Sequence, residues 1–367
     1  RYVANSAWLC LAGAVVLTAA TVLLTRPILQ LMQTPADIIG DAVTYIGWIF
    51  AGIPFVFLYN MVASIMRALG DSRTPLIFLV ITSVLNVGLD LFFIIVFDAG
   101  VFGAAFATDL SQAISGIASL IYLVKRFEVL QMQKGEQAPD RGVCGRLLAM
   151  GLPMGLQCSI TAIGSVIMQW AVNVLGSRGG AAAPAAGKTS NLLSVPLESL
   201  GTAMATYAGQ NLGAARLDRV RSGVRYALGI TVVYAVLALV LLHFFDVAII
   251  GMFIDTGAEV EVVRLARSYL FWNGLFFLPL GALIVWRYVI QGLGYSSIAM
   301  LAGVAEMVAR TGVALVLVPG LGFFGASLAN PAAWVAACVF LLPAYTWTMR
   351  HIANRLQANR LRMEQPA

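Results

Sequence analysis

Charge is what this 367-residue chain has least of. Only 11% of its residues are Asp, Glu, Lys or Arg, against roughly a quarter in soluble domains; 60% are hydrophobic and the mean hydropathy is +0.87. So few charges cannot clothe a water-exposed surface, which excludes a soluble globular domain. Histidine is scarcer still: His243 and His351 are the two, far apart and near the ends of apolar runs, so no His-centred catalytic or zinc site is expected. Cys10, Cys144, Cys158 and Cys338 show neither CxxC nor metal-ligand spacing and read as free thiols. No GxxxxGK[ST] loop appears, so ATP is not the expected driver. Without a Ser/His or paired-Asp constellation the chain reads as a non-enzyme with no organic cofactor.

Long apolar runs are what it has instead. A helix needs about 20 apolar residues to cross the hydrocarbon core, because its backbone groups must be paired internally there. Ten such runs stand at about 6–25, 42–66, 76–97, 101–124, 147–175, 182–209, 226–248, 265–290, 298–318 and 323–349. They predict an all-α integral membrane protein. Basic loops stay on the cytoplasmic side, and one assignment of faces puts 17 Lys and Arg inside against 4 outside. That count places Lys134, Arg287, Arg360 and Arg362 inside and Arg26 and Arg178 outside, with both ends of the chain cytoplasmic. The acidic stretch "FIDTGAEVEVV" (253–263) then falls on the outer face. The net charge of +6 follows from this topology and implies no nucleic-acid partner.

The sequence overlays on itself at a shift of 224. Tyr45 meets Tyr269, Trp48 meets Trp272, and the Leu69-Gly70 turn of "MRALGDSRTP" meets Leu293-Gly294 in "QGLGYSS". After a two-residue slip, "GVFGAAFAT" (100–108) meets "GFFGASLAN" (322–330). Matching runs point the same way in both copies, so the repeat is parallel, the pattern of a two-lobe transporter bundle. The second copy begins near Cys144 and has six runs where the first has four; the expected organisation is therefore ten transmembrane helices of an inferred twelve, with two before Arg1. Residues 1–124 form the N-terminal lobe, 125–143 a polar cytoplasmic linker, 144–350 the C-terminal lobe and 351–367 a cytoplasmic tail. Small residues recur every fourth position, Gly103, Ala107, Ser111, Ser115 and Ser119, answered by Gly325, Ala329, Ala333 and Ala337; such stripes let helix backbones approach closely.

"RALGDSRTPLIFLVITSVLNVGLDLFFI", "GVFGAAFATDLSQ", "GLPMGLQCSITAIGSVIMQ" and "LGTAMATYAGQNLGAARLDRVRSGVR" together resemble a bacterial multidrug and toxic compound extrusion (MATE) transporter, from the third family helix to the twelfth. The resemblance implies secondary active export of organic, often cationic or amphipathic compounds in exchange for H⁺ or Na⁺, by alternating access. It also implies a monomer in the bacterial inner membrane whose partners are small organic substrates and lipid. A lipid-linked precursor flippase of a related fold is the alternative; that reading expects several cationic residues in the cavity, and Lys188 and Arg310 are the candidates.

Charged and amide residues inside spans carry the rest. Asn86 and Asp90 share a helix face, and a carboxylate in a span is costly unless it meets a partner or cavity. It reads either as a structural hydrogen bond or as a cation site that binds H⁺ or offers oxygen ligands to Na⁺. The resemblance implies the second: Asn86, Asp90 and Thr108 match three residues of the family's N-lobe cation site, and the fourth, an Asp on the first family helix, is expected in the segment inferred to precede Arg1. Glu306 and Arg310, also four apart, read as a structural ion pair or as handlers of substrate or protons. Lys188 and Glu198 lie near one face of a helix, and Gln157, Gln169 and Asn173 are amides that suit a cavity. The family's C-lobe acids are missing here, with Asn273 the polar residue in the tenth family helix.

Overall fold

The computed structural model describes residues 1–31, 34–35, 37–127, 136–174, 177–252 and 260–364, the side chains of 177–185 and 359–364 excepted. Lys134 and residues 253–259 of the acidic stretch lie outside these, as do the side chains of Arg178, Arg360 and Arg362. Two compact units emerge, Arg1–Leu147 and Leu148–Ala367. The first holds α1 (Tyr2–Leu31), α2 (Ile39–Ala51), α3 (Ile53–Ala68), α4 (Arg73–Leu91), a π-helical turn (Phe92–Val96), α5 (Gly100–Arg126) and the opening turns of α6 (Arg141–Val174). The second continues α6 and adds α7 (Ser177–Gly213), α8 (Leu217–Ile250), α9 (Val260–Leu275), α10 (Phe277–Gly292), α11 (Ser296–Gly312), a second π-helical turn (Val313–Leu317), α12 (Val318–Leu321), α13 (Phe323–Ser327) and α14 (Ala329–Glu364).

Among the described residues there is no strand, and these segments form ten helical rods along the ten apolar runs of the sequence. Eight stretches are long and apolar enough to span a membrane, and α9 with α10, bent by 51°, make a ninth. The 37-residue α7 is long enough but not among them, because Ser, Thr, Asn and Gly replace large aliphatics along much of it. Outer faces are apolar: Leu23 of α1 is 77% exposed and Val84 of α4 69%, a surface that only lipid solvates at no cost. The chain is a multi-pass membrane protein.

Turn chemistry ends the rods, and it does so twice over. After α3, Gly70 takes φ +93°, its N–H donates to Arg67 O, and the Asp71 N–H reaches Met66 O at 2.9 Å. After α10, Gly294 takes φ +90° and the Tyr295 N–H reaches Ile290 O at 3.1 Å. This is the helix-terminating bond pattern that a left-handed glycine permits. The copies also share a left-handed glycine after the π turn, Gly100 at +51° and Gly322 at +58°. A break midway along a rod recurs, at Gly52 and at Phe276, as does an edge-on aromatic pair, Trp48–Phe102 at 5.2 Å and Trp272–Phe324 at 5.5 Å. The small-residue stripes are the buried faces of α5 and of α13 with α14.

Several boundaries differ from the sequence reading. Lys125 and Arg126 close α5 and Arg141–Val143 open α6, so both ends of the expected 125–143 linker are helix. Asp140 starts α6 by accepting the Gly142 and Val143 N–H groups at 2.8 and 3.2 Å. Its own N–H donates to Asn5 Oδ1 at 2.7 Å, and the Arg146 guanidinium lies over the Tyr2 ring. These contacts fasten the first turns of α6 to α1, which moves the division from 144 to Leu147/Leu148. The expected tail from 351 is the continuation of α14, helical through Glu364.

Candidate ion site and substrate cavity

In the first unit, α4 packs along α5. Asn86 Nδ2 donates to Thr108 Oγ1 at 3.3 Å, and the Thr108 hydroxyl donates to the Ala104 carbonyl one turn back at 3.1 Å. Asp90 lies one turn beyond Asn86 on the same face of α4, and its Oδ1 is buried without a hydrogen-bond partner among the described residues. Buried polar atoms are nearly always paired, and an unpaired buried carboxylate is costlier still. A hard cation would supply the missing partner, and carboxylate, amide carbonyl and hydroxyl oxygens are the ligand types it prefers. No cluster of three or more His, Cys, Asp or Glu suited to a metal occurs among the described residues. Asp109, next to Thr108, faces the α2–α3 break, where a β-carbon at Gly52 would overlap its carboxylate.

The second unit contains a cavity of about 510 Å³. Of the residues singled out by sequence, Gln169, Lys188, Glu198, Glu306 and Arg310 line it. Gln157 does not line it; it is buried and accepts a hydrogen bond from Gln291 Nε2 at 2.9 Å. Asn173 does not either; it is exposed and accepts one from Gln169 Nε2 at 2.8 Å. Close helix approach shapes the wall: a β-carbon at Gly164 of α6 would sit 3.3 Å from the Met307 backbone of α11 and 3.5 Å from Arg310 Cδ.

Glu306 and Arg310 are joined at 3.5 Å, but the tighter partner of Glu306 is Arg287, whose Nη2 bonds Glu306 Oε1. All three side chains are below 10% exposed. This corrects the placement of Arg287 in a cytoplasmic loop: it stands inside α10, buried against α11. Its sequence signal was a lone charge in the apolar run "FLPLGALIVWRYVIQG", which reads equally well as the flank of a span. At the cavity rim Tyr288 donates its hydroxyl to Glu198 Oε2 at 2.7 Å. Deeper in the unit, Asn330 Nδ2 donates to Tyr269 Oη at 2.9 Å and to Asn273 Oδ1 at 3.0 Å.

Known proteins agree with this architecture. The chain is 32% identical over 280 residues to the probable multidrug resistance protein YpnP of Bacillus subtilis, a match covering 75% of this chain and 61% of that protein. It is 27% identical over 270 residues to the probable multidrug resistance protein YoeA of the same organism, covering 72% and 58%. The matches thus span about six-tenths of these relatives' length. Its fold superposes on the outward-facing conformation of a multidrug resistance MATE family transporter of the MOP superfamily, with TM-score 0.85, 22% identity and coverage of 94% of this chain and 77% of that one. The MatE family profile matches residues 1–92 and 153–316, more than half of the sequence and most of both units, and the chain belongs to that family, whose members are transporters rather than enzymes.

Proposed function

We propose that this protein is a secondary active exporter of the bacterial plasma membrane, moving amphipathic organic compounds outward in exchange for H⁺ or Na⁺ moving inward. The observation that carries this reading is the unpartnered buried oxygen of Asp90 beside the Asn86–Thr108 pair. A carboxylate there would bind and release a cation at little cost in local structure, because no donor among the described residues bonds that oxygen. Binding shifts the balance between inward- and outward-open states only by its difference in affinity for the two, so Asp90 would be alternately exposed to each side. The unit 2 cavity would take the organic compound, with its apolar wall accepting varied shapes. The excess of Lys and Arg at one set of helix ends supports a cytoplasmic position for both termini, and the unit of function would be a monomer. A second reading, a lipid-linked precursor flippase, gains from Arg287: it is a third cationic side chain at the cavity, beside Lys188 and Arg310.

The test is efflux from everted vesicles carrying the protein expressed from its native gene, under an imposed pH or Na⁺ gradient. Asp90→Asn, present at matched membrane levels, should lose gradient-driven transport, and the gradient that drives the wild type names the ion. Normal transport by the variant would remove the coupling role.

A further inference from the structure

The unit 2 cavity has one more positive charge than it can neutralise. Lys188, Arg287 and Arg310 line it against Glu198 and Glu306. Glu198 is exposed at the rim and already accepts the Tyr288 hydroxyl. Glu306 is shared: one oxygen meets Arg287, the other meets Arg310 at 3.5 Å. Arg310 is poorly satisfied. Its other bond, from Nη1 to the Thr161 carbonyl, is 3.4 Å, and its Nε has no partner among the described residues. Good N–H···O bonds run about 2.7–3.2 Å, and a guanidinium has five donors to place. Arg287 Nε is also buried and unpartnered, and Lys188 makes no ion pair among the described residues although it faces the cavity. For salt-bridging alone, Arg287 with Glu306 would suffice, and a second buried arginine on the same carboxylate is a cost without return.

We propose that this cavity binds the anionic group of an amphipathic molecule, a carboxylate or a phosphate monoanion, through Arg310 and Lys188. The Arg287–Glu306 pair forms a neutral floor beneath them, and the apolar body of the ligand lies against Met168, Leu280 and Trp334. A guanidinium fork matches two oxygens of a carboxylate or phosphate at once. A permanent organic cation, by contrast, would add to the surplus. The inference deepens the proposed function by naming the substrate's charge, and it rests on that reading only for placing substrate in unit 2.

The test is equilibrium binding of radiolabelled 1-naphthoate and 1-naphthylmethylammonium, one ring system with opposite charges, to the full chain in phosphatidylcholine nanodiscs without an ion gradient. Naphthoate should saturate and bind at least about tenfold more tightly than the ammonium. Arg310→Gln leaves Arg287 and Glu306 balanced, so it should weaken naphthoate by about tenfold to a hundredfold, the range of a hydrogen bond to a charged group, without lowering the melting temperature. Arg310→Lys should bind at an intermediate level. Lys188→Gln, at a cavity-facing exposed side chain, should weaken naphthoate several-fold and reports even if Arg310 proves intolerant. Displacement of naphthoate by phosphatidylglycerol in the disc would identify a lipid phosphate as the occupant, and failure to displace it a soluble organic anion; both keep the anionic class. Equal affinity for the two probes, tighter binding of the cation, or unchanged naphthoate binding in both Gln variants would overturn the proposal. Because no gradient is applied, a coupling defect cannot produce any of these results, and the Asp90→Asn outcome stands apart from them.

Discussion

Where α4 of the first unit carries Asn86 and, one turn on, Asp90, the matching positions of the second carry Arg310 in α11 and Ala314 in the π turn. Thr82 answers Glu306 and Ala63 answers Arg287, so a site holding a lone acid in one unit is an Arg–Glu–Arg cluster in the other. The backbones around these positions agree closely, in the left-handed glycines, the π turns, the mid-rod breaks and the edge-on Trp–Phe pair. Two copies of one scaffold therefore hold opposite electrostatics. The scaffold is fixed by turn glycines and small-residue packing, which constrain shape. The polar positions lie on helix faces where the backbone is already satisfied, so the scaffold does not dictate which charge each copy carries there.

The largest expected break in this comparison is at Glu306. Glu306→Gln strands two buried arginines and should cost about 3–5 kcal/mol of stability, read as a fall in the melting temperature of the nanodisc-held protein. At the matching place in the first unit, Thr82→Ala removes a hydroxyl that donates to its own helix at Phe78 O, with no other bond among the described residues, and should cost under about 1.5 kcal/mol. Comparable losses at the two positions would show that the Arg287–Glu306–Arg310 cluster is not coupled as the geometry indicates.

A middle-sized effect tests the packing. Gly292 of α10 lies so close to α7 that a β-carbon would overlap the Ala205 carbonyl, whereas the first unit holds Ala68 at the matching position. Gly292→Ala should cost about 1–3 kcal/mol, because a backbone atom cannot step aside as a side chain can. Ala68→Gly should cost no more than about 1 kcal/mol, the price of added chain entropy. Thermal melts of the pair decide it, and a tolerated alanine at 292 would mean that α7 and α10 are less tightly apposed.

The smallest effect distinguishes the two Leu-Gly turns by pH. Asp71 Oδ1 accepts the Thr74 N–H at 3.0 Å at the start of α4, while the second unit has Tyr295 there. Hydrogen bonds from the Thr74 side chain and backbone hold the Asp71 carboxyl below the usual carboxylate range. A depressed folded value means the stabilisation is fully present above the unfolded pKa and is lost as pH falls through the folded one. Asp71→Ala should thus cost under about 1 kcal/mol at neutral pH, and the gap from wild type should close on acidification below the normal Asp range. A gap that persists there would assign the effect to packing instead of charge.

Much of this organisation was legible before any coordinates. The ten runs, the matched Leu-Gly turns and the 224-residue repeat follow from local rules of apolar length and left-handed glycine. So did the Asn86–Asp90 spacing, since four residues always share a helix face. The charge cluster was legible only in part. Glu306 and Arg310 stand together on one helix, but Arg287 lies 19 residues away, near enough to a helix end to read as a flanking loop charge. Its pairing depends on how α10 sits against α11, which no periodicity encodes. Asp109 is similar: the Gly52 break that receives its carboxylate is 57 residues back along the chain.

By itself, then, the sequence determined a helical membrane chain, its duplicated turns and the face shared by Asn86 and Asp90, because hydropathy, helical period and glycine stereochemistry act over a few neighbouring residues. Only the tertiary structure decided that Arg287 joins Glu306 and Arg310 at one cavity, that Asp90 keeps an unpaired oxygen, and that the first turns of α6 belong with α1. Those outcomes rest on electrostatics and packing between helices distant in the chain, where the cost of burying a charge depends on what the fold brings beside it.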